Sequence, residues 1–123
     1  MLALSLNTHK LQVVLGGAVT TNQLQCTVYF YDIIRGSKEN TTEYRRFPKY
    51  INTNNTTDVD ICDAPPQDII RHIDYISIYN KDTVNATVTV KIDISATETI
   101  QIVQVLATTE SLCYEHGAGW YIL

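Results

Sequence analysis

The chain has 123 residues, and its nine basic and 13 acidic side chains give a net charge of −4. This length fits one domain, which we expect to span residues 1–123. The lack of a basic patch argues against nucleic-acid binding. No apolar run reaches the length needed to span a bilayer, so no membrane partner is expected. Thr, Ile and Val make up 40 of the 123 residues. Because β-branched residues favour strands, an all-helical fold is excluded.

The three cysteines, Cys26, Cys62 and Cys113, lie far apart and form no Cys-x-x-Cys pair. An odd number cannot form a fully paired disulfide framework, and zinc sites usually have paired ligands at short spacing. We therefore expect buried free thiols in a reducing compartment. The apolar run at residues 1–6 is too short for the core of a secretory signal. The chain is thus expected to be made and kept in cytosol-like conditions.

The first strand signals are apolar alternation at residues 11–15, broken by Gly16-Gly17, and a longer run at residues 24–34. In the longer run, Leu24, Cys26, Val28 and Phe30 alternate with partners that include Tyr29 and Tyr31. Alternation with period two places the two sets on opposite faces of a strand. Since both sets contain large side chains, one face is expected to pack on the core and the other on a neighbour.

Residues 35–57 are the least regular stretch, with polar clusters on both sides of a basic and aromatic segment at residues 44–50. We expect an exposed loop here, and loops often carry binding residues. A solvated loop with a half-buried Phe47 is the alternative. The candidate contact residues of this segment are Tyr44, Arg45, Arg46, Phe47 and Tyr50.

Further alternation predicts a short strand at residues 57–62 that ends at Pro65-Pro66, because proline cannot donate to a strand ladder. Residues 69–79 and 86–94 are predicted to form a hairpin through a polar loop at residues 80–85. Three more strands, at residues 99–107, 111–115 and 120–123, continue the meander. About eight regularly spaced strands without a helix indicate an all-β, single-domain antiparallel β-sandwich of jelly-roll type.

Few residues suggest catalysis or metal binding. His72 and Asp74 lie two apart on a predicted strand, so they share a face, but the nearest nucleophile, Ser77, is expected on the opposite face. Asp58, Asp60 and Asp63 could suggest calcium, although the spacing of an EF-hand is missing. We therefore predict no catalytic residue, no metal and no cofactor.

The second half of the chain has a recognisable order of segments: IDYISIYN at 73–80, ATVTV at 86–90, LCYE at 112–115 and GWYI at 119–122. Over residues 69–123 this pattern resembles small all-β virion proteins of tailed bacteriophages, which include capsid decoration (cement) proteins and tail-associated proteins. The opening segment at residues 10–15 looks similar too. Residues 35–55 match nothing in that group.

The resemblance implies a non-enzymatic structural subunit that oligomerises, often as a trimer, and docks on the major capsid protein or on tail proteins. Its expected location is the virion, assembled in the bacterial host cytoplasm. A tail or baseplate adaptor, or a fibre-attachment protein, is the alternative within this group. The candidate interface residues on the predicted strands are Tyr29, Tyr31, Tyr75 and Tyr79.

A carbohydrate-binding module is the alternative from another class, because jelly rolls also serve as lectins. Sugar sites usually stack the ligand on exposed aromatic rings. The residues that could provide such rings are Tyr44, Phe47, Tyr50 and Trp120.

Overall fold

The computed structural model describes residues 2–35 and 46–123, and for Arg46 and Phe47 it describes the backbone alone. Within these residues the chain forms ten strands and no helix, hence no helix that could cross a membrane. The strands are β1 (Ala3–Leu4), β2 (His9–Leu15), β3 (Gln25–Ile34), β4 (Arg46–Asn52), β5 (Val59–Cys62), β6 (Ile69–Tyr79), β7 (Ala86–Ile94), β8 (Thr97–Leu106), β9 (Ser111–Glu115) and β10 (Gly119–Ile122).

The strands form two antiparallel sheets. Sheet 1 has the order β10-β9-β6-β3-β4, and the short β1 pairs with β6. Sheet 2 has the order β5-β2-β7-β8. Fully buried side chains from both sheets, such as Val28 and Ile76 of sheet 1 and Val13 and Val90 of sheet 2, belong to one hydrophobic cluster. The all-β antiparallel class predicted from the sequence is therefore confirmed, and the arrangement resembles a sandwich.

The predicted hairpin between β6 and β7 is wrong. Both strands have the predicted bounds, but β6 lies in sheet 1 beside β3, whereas β7 lies in sheet 2 beside β2. The predicted meander also breaks between β8 and β9, which belong to different sheets. Alternation fixes which side chains face inward, but it carries no information about the neighbouring strand.

The connection at residues 80–85 is a corner between the sheets in which Asn80 and Asp82 are buried, whereas residues 83–85 are exposed. The Asp82 carboxylate accepts hydrogen bonds from the backbone N–H groups of Thr20, Thr21 and Asn22, at 2.8, 2.8 and 3.1 Å. The first of these bonds is the largest of the effects that lower the pKa of Asp82 to about 2. The Asn80 amide donates to the carbonyl groups of Val84 and Leu106, both at 3.0 Å. Asn80 and Asp82 thus tie the corner to the loop before β3 and to the end of β8.

Two strands were not predicted. β1 has only two residues, too few to show alternation. β4 lies within the segment expected to be an exposed loop, and that expectation is wrong for residues 46–52. Within the described ranges β4 pairs only with β3, and it contains Pro48, which a sheet tolerates at an edge strand.

All three cysteines are free and buried, as predicted. Burial raises the pKa of both Cys26 and Cys62 to about 12, so these thiols stay protonated at neutral pH. Both belong to the hydrophobic cluster between the sheets, where they pack as small apolar side chains.

The outward face of sheet 2 holds a buried lysine. The Lys91 ammonium lies 2.8 Å from Asp58 Oδ1 and 2.7 Å from Glu98 Oε1, and its side chain is only 7% exposed. Burial alone lowers the pKa of Lys91, but the hydrogen bonds and charges of the two carboxylates outweigh it and raise the pKa. Because Asp58 precedes β5 and Glu98 lies on β8, this ion pair connects both edges of sheet 2.

We expect Lys91→Met to lower the free energy of unfolding by about 1–2 kcal/mol, the scale of a charged hydrogen bond reduced by the partial hydration of both carboxylates. The matched control is Lys10→Met, because Lys10 is exposed and lies 3.6 Å from Asp60. Its expected loss is below about 0.5 kcal/mol. Urea denaturation at neutral pH measures both values. Equal losses would show that the buried ion pair contributes no more to the free energy of unfolding than the exposed one.

Candidate interaction surface

The outward face of sheet 1 carries most of the tyrosines of the chain. Buried Val28 and Ile76 point into the core, so their neighbours along each strand point outward. The strand register then aligns Tyr29 with Tyr75, and it places Tyr121 opposite Cys113. We call the set of outward tyrosines the tyrosine face: Tyr29, Tyr31, Tyr50, Tyr75, Tyr79 and Tyr121.

A β-bulge in β6 places residues on both sides of it on the tyrosine face. Tyr29 pairs with Tyr75 but Phe30 pairs with Ile73, which leaves Asp74 as the extra residue. A bulge shifts the alternation by one position. His72 and Tyr75, three residues apart, therefore both point outward.

Three tyrosines form a connected row across neighbouring strands. The hydroxyl groups of Tyr29 and Tyr50 share a hydrogen bond of 3.1 Å, and their rings meet edge to face at 6.5 Å between centroids. The Tyr29 and Tyr75 rings lie 6.2 Å apart at a tilt of 49°. Offset and edge-to-face contacts of this kind stabilise aromatic pairs. The row from β4 to β6 is thus held in one arrangement before any partner binds.

On the other side of Tyr75, the face continues over β9 and β10. The Tyr75 hydroxyl lies 4.0 Å from Cys113 Sγ, and Cys113 is buried although its register position is outward. The hydrogen bond between Tyr121 and Glu115, followed by burial, raises the pKa of Tyr121 to about 12. The Tyr121 phenol therefore stays protonated at neutral pH.

His72 belongs to this face as a packed ring. It stacks on Tyr31 with 5.0 Å between centroids and 8° between planes. Burial lowers the pKa of His72, and the nearby His116 lowers it further, so the ring is largely neutral at pH 7. Ser77 also lies on the outward face, contrary to the prediction, because of the bulge at Asp74. Five residues of strand, roughly 16 Å, separate His72 from Ser77, too far for a base and its nucleophile.

The structure brings together the four tyrosines predicted from the strands, and Tyr50, at 67% exposure, joins them from β4. Of the other candidates from residues 44–50, Tyr44 and Arg45 and the side chains of Arg46 and Phe47 lie outside the described residues. Tyr121 was missed, although its alternation with Trp120 was visible in the sequence. Trp120 packs on Tyr114 at 5.1 Å and is partly buried against the core, so only part of its ring is open to a sugar.

Tyr50 also borders a shallow cleft of about 320 Å³ at one end of the tyrosine face. The polar side chains around it are Gln25, Thr27 and Asn52. An exposed ring beside amide groups offers both a stacking surface and hydrogen-bonding groups for a polar ligand.

The three aspartates considered for calcium each have a different lysine partner. Asp58 pairs with Lys91, Asp60 pairs with Lys10, and Asp63 pairs with Lys49 at 3.2 Å. Across the part of the chain that the structure describes, no three His, Cys, Asp or Glu side chains form a metal-binding group.

Removing the Glu115 carboxylate should move the titration of Tyr121. In Glu115→Gln we expect the pKa of Tyr121 to fall from about 12 towards the ordinary value of 10.0. Since the raised pKa belongs to the folded state, the stability it contributes is complete below pH 10 and is lost as the pH rises towards 12. NMR titration with isotope-labelled tyrosine rings measures the shift, and Tyr121→Phe identifies the signal. An unchanged titration in Glu115→Gln would contradict the assigned cause.

Comparison with protein-family models, with curated proteins and with solved structures finds no match for this chain.

Proposed function

We propose that this chain is a non-enzymatic structural protein of a tailed-phage virion, namely a capsid decoration subunit that docks on the assembled shell through the tyrosine face. The observation that carries the proposal is the concentration of six of the eight tyrosines on the outward face of one sheet. The proposed assembly, a tailed-phage virion, comes from the sequence resemblance over residues 69–123.

The chemistry of this face suits a protein partner. Tyrosine combines a large apolar ring with a hydroxyl group, and its two side-chain torsions lose little entropy on binding. Tyrosine is accordingly enriched in the cores of protein interfaces, where charged residues are depleted. The contacts among Tyr29, Tyr50 and Tyr75 hold the rings in place, which reduces the ordering cost of association.

The strand pairing is compatible with a jelly roll. In such a fold a long hairpin is rolled up, so that strand pairs are nested and alternate between the two sheets. Here β3 pairs with β6 in sheet 1 and β2 pairs with β7 in sheet 2, which is a nested arrangement of this kind. We therefore propose a jelly-roll-like sandwich, extended by the β7–β8 and β9–β10 hairpins.

The remaining parts of the proposal come from the resemblance. The subunit associates with itself, with a trimer as the expected form, and its partner is the major capsid protein. A tail or baseplate adaptor, or a fibre-attachment protein, is the variant of the proposal in which tail proteins are the partner. Decoration would act by mass action, since a subunit that binds only the assembled shell stabilises that shell.

Mass spectrometry of purified phage particles, from the phage that encodes the chain, is expected to detect the protein in the virion. Its absence from the particles would overturn the proposal. Separated capsid and tail fractions then distinguish the decoration role from the tail role.

The double variant Tyr50→Ala/Tyr75→Ala is expected to bind shells at least about 30-fold more weakly, the scale of one interface hot spot. Co-sedimentation with assembled shells measures this change. Thr87→Ala, on the exposed outer face of sheet 2, is the matched control and should bind like the native chain. Equal binding by all three proteins would exclude the tyrosine face as the docking surface.

The cleft beside Tyr50 favours a carbohydrate-binding module as the second candidate function. Its exposed ring lies next to Gln25 and Asn52, whose amides could bind sugar hydroxyl groups. A glycan array should then give signals that Tyr50→Ala abolishes and that Tyr79→Ala, outside the cleft lining, retains. Signals at background level for the native chain would remove this candidate.

A further inference from the structure

β8 is an edge strand with an open apolar side. Among the residues that the structure describes it pairs with β7 alone, and three of its side chains on the outer face of sheet 2 are largely exposed: Ile100 at 61%, Val103 at 54% and Val105 at 53%. Edge strands carry backbone N–H and C=O groups that lack a strand partner, and natural proteins usually protect such edges with lysine, proline or a cover. β8 has neither lysine nor proline.

The charge pattern of this strand differs from that of two other edge strands, β4 and β5. Residues 99–109 contain no charged side chain in a chain whose net charge is −4. β4, one edge of sheet 1, contains Pro48 and Lys49, and β5, the other edge of sheet 2, contains Asp60 beside Lys10. β10, the other edge of sheet 1, has four residues and no charged side chain. β8 is thus the longer of the two edges that combine an open side with a stretch free of charge, and a second negatively charged copy would meet no charge repulsion over that stretch.

A bulge defines which part of β8 can pair. The pairing register between β7 and β8 shifts at Gln101. Val90 pairs with Ile102 and Lys91 pairs with Ile100, so Gln101 is the extra residue. On the C-terminal side of the bulge β8 pairs regularly over residues 102–106, whose central residue is Gln104, and the regular segment on the N-terminal side contains the charged Glu98. A bulge bends the strand and interrupts pairing, so strand addition is confined to this segment.

We propose that the edge segment at residues 102–106 pairs antiparallel with the same segment of a second copy, about a two-fold axis at Gln104. In this register Val103 of each copy lies opposite Val105 of the other on the outer face, and the axis generates the contact twice. Cross-strand pairs of β-branched residues stabilise antiparallel sheets. The two four-stranded sheets would merge into one continuous sheet.

Charge favours the antiparallel direction. Glu98 lies six residues from the axis, so the two Glu98 side chains would be roughly 40 Å apart, whereas a parallel pairing would bring them together. Along this edge the Gln101 and Gln104 amides donate to the carbonyl groups of Thr99 and Val105, at 3.3 and 3.1 Å. Both bonds are exposed, so backbone N–H groups of an added strand could replace them at little cost.

This inference is independent of the proposed function. The pairing uses sheet 2 and leaves the tyrosine face on sheet 1 free for another partner. It specifies a two-fold contact, which would exist beside any three-fold contact between subunits.

Light scattering coupled to size exclusion, on the full chain over a range of concentrations, tests the proposal. We expect the native chain to form an assembly with an even number of copies. The Val103→Lys variant is expected to have half the mass of that assembly. The matched control is Ile122→Lys, which places the same charge on the edge of sheet 1 at an exposed apolar position and should leave the mass unchanged. A native mass of one or three copies at every concentration would overturn the proposal, and so would a Val103→Lys assembly of native mass.

Val103→Thr provides a second variant in case lysine disturbs folding, because threonine keeps the shape of valine and the preference for strands. It should weaken self-association several-fold while the circular dichroism spectrum stays native. In the native chain, amide hydrogen exchange at residues 102–106 should slow as concentration rises. Exchange that does not depend on concentration would contradict the pairing.

Discussion

The corner formed by Asn80 and Asp82 is the constraint on which the rest of the fold depends. At this corner the chain leaves sheet 1 after β6 and enters sheet 2 as β7. Crossing between sheets buries backbone and side-chain polar groups, and a buried polar group without a partner is costly. Asp82 satisfies three N–H groups before β3, and Asn80 holds the ends of β6 and β8 together. Both side chains are almost fully buried, so these polar contacts form part of the interior.

The sequence predicted strands much better than their partners. The bounds of β6, β7 and β9 are those predicted, because an apolar segment with clear polar ends marks a strand locally. The pairing of β7 with β2 depends on residues far apart in sequence, so no local pattern could reveal it. The polar composition of residues 80–85 suggested the loop of a hairpin, but Asn80 and Asp82 are buried at a corner between the sheets, where their hydrogen bonds are satisfied.

The tyrosine face could be predicted only in part, because local alternation does not reveal bulges or strand partners. Tyr29 and Tyr31 alternate with core residues, so their shared face follows from the sequence alone. The outward position of Tyr75 beside His72 depends on the bulge at Asp74, which only the register reveals. Tyr50 reaches the face because β4 is a strand. The two sheets consequently present different outer surfaces: hydrogen-bonded aromatic rings on sheet 1, and a buried ion pair beside an apolar edge on sheet 2.

The nested strand pairing also has a consequence for how the chain folds. Ile34 pairs with Ile69 in sheet 1, whereas Leu15 pairs with Val88 in sheet 2, so the second pairing closes a longer loop around the first. The entropy lost on loop closure grows with loop length, and forming the inner pair first shortens the loop that remains. We therefore expect β3 and β6 to associate before β2 and β7. Folds dominated by such distant pairings form on a scale of roughly milliseconds to seconds.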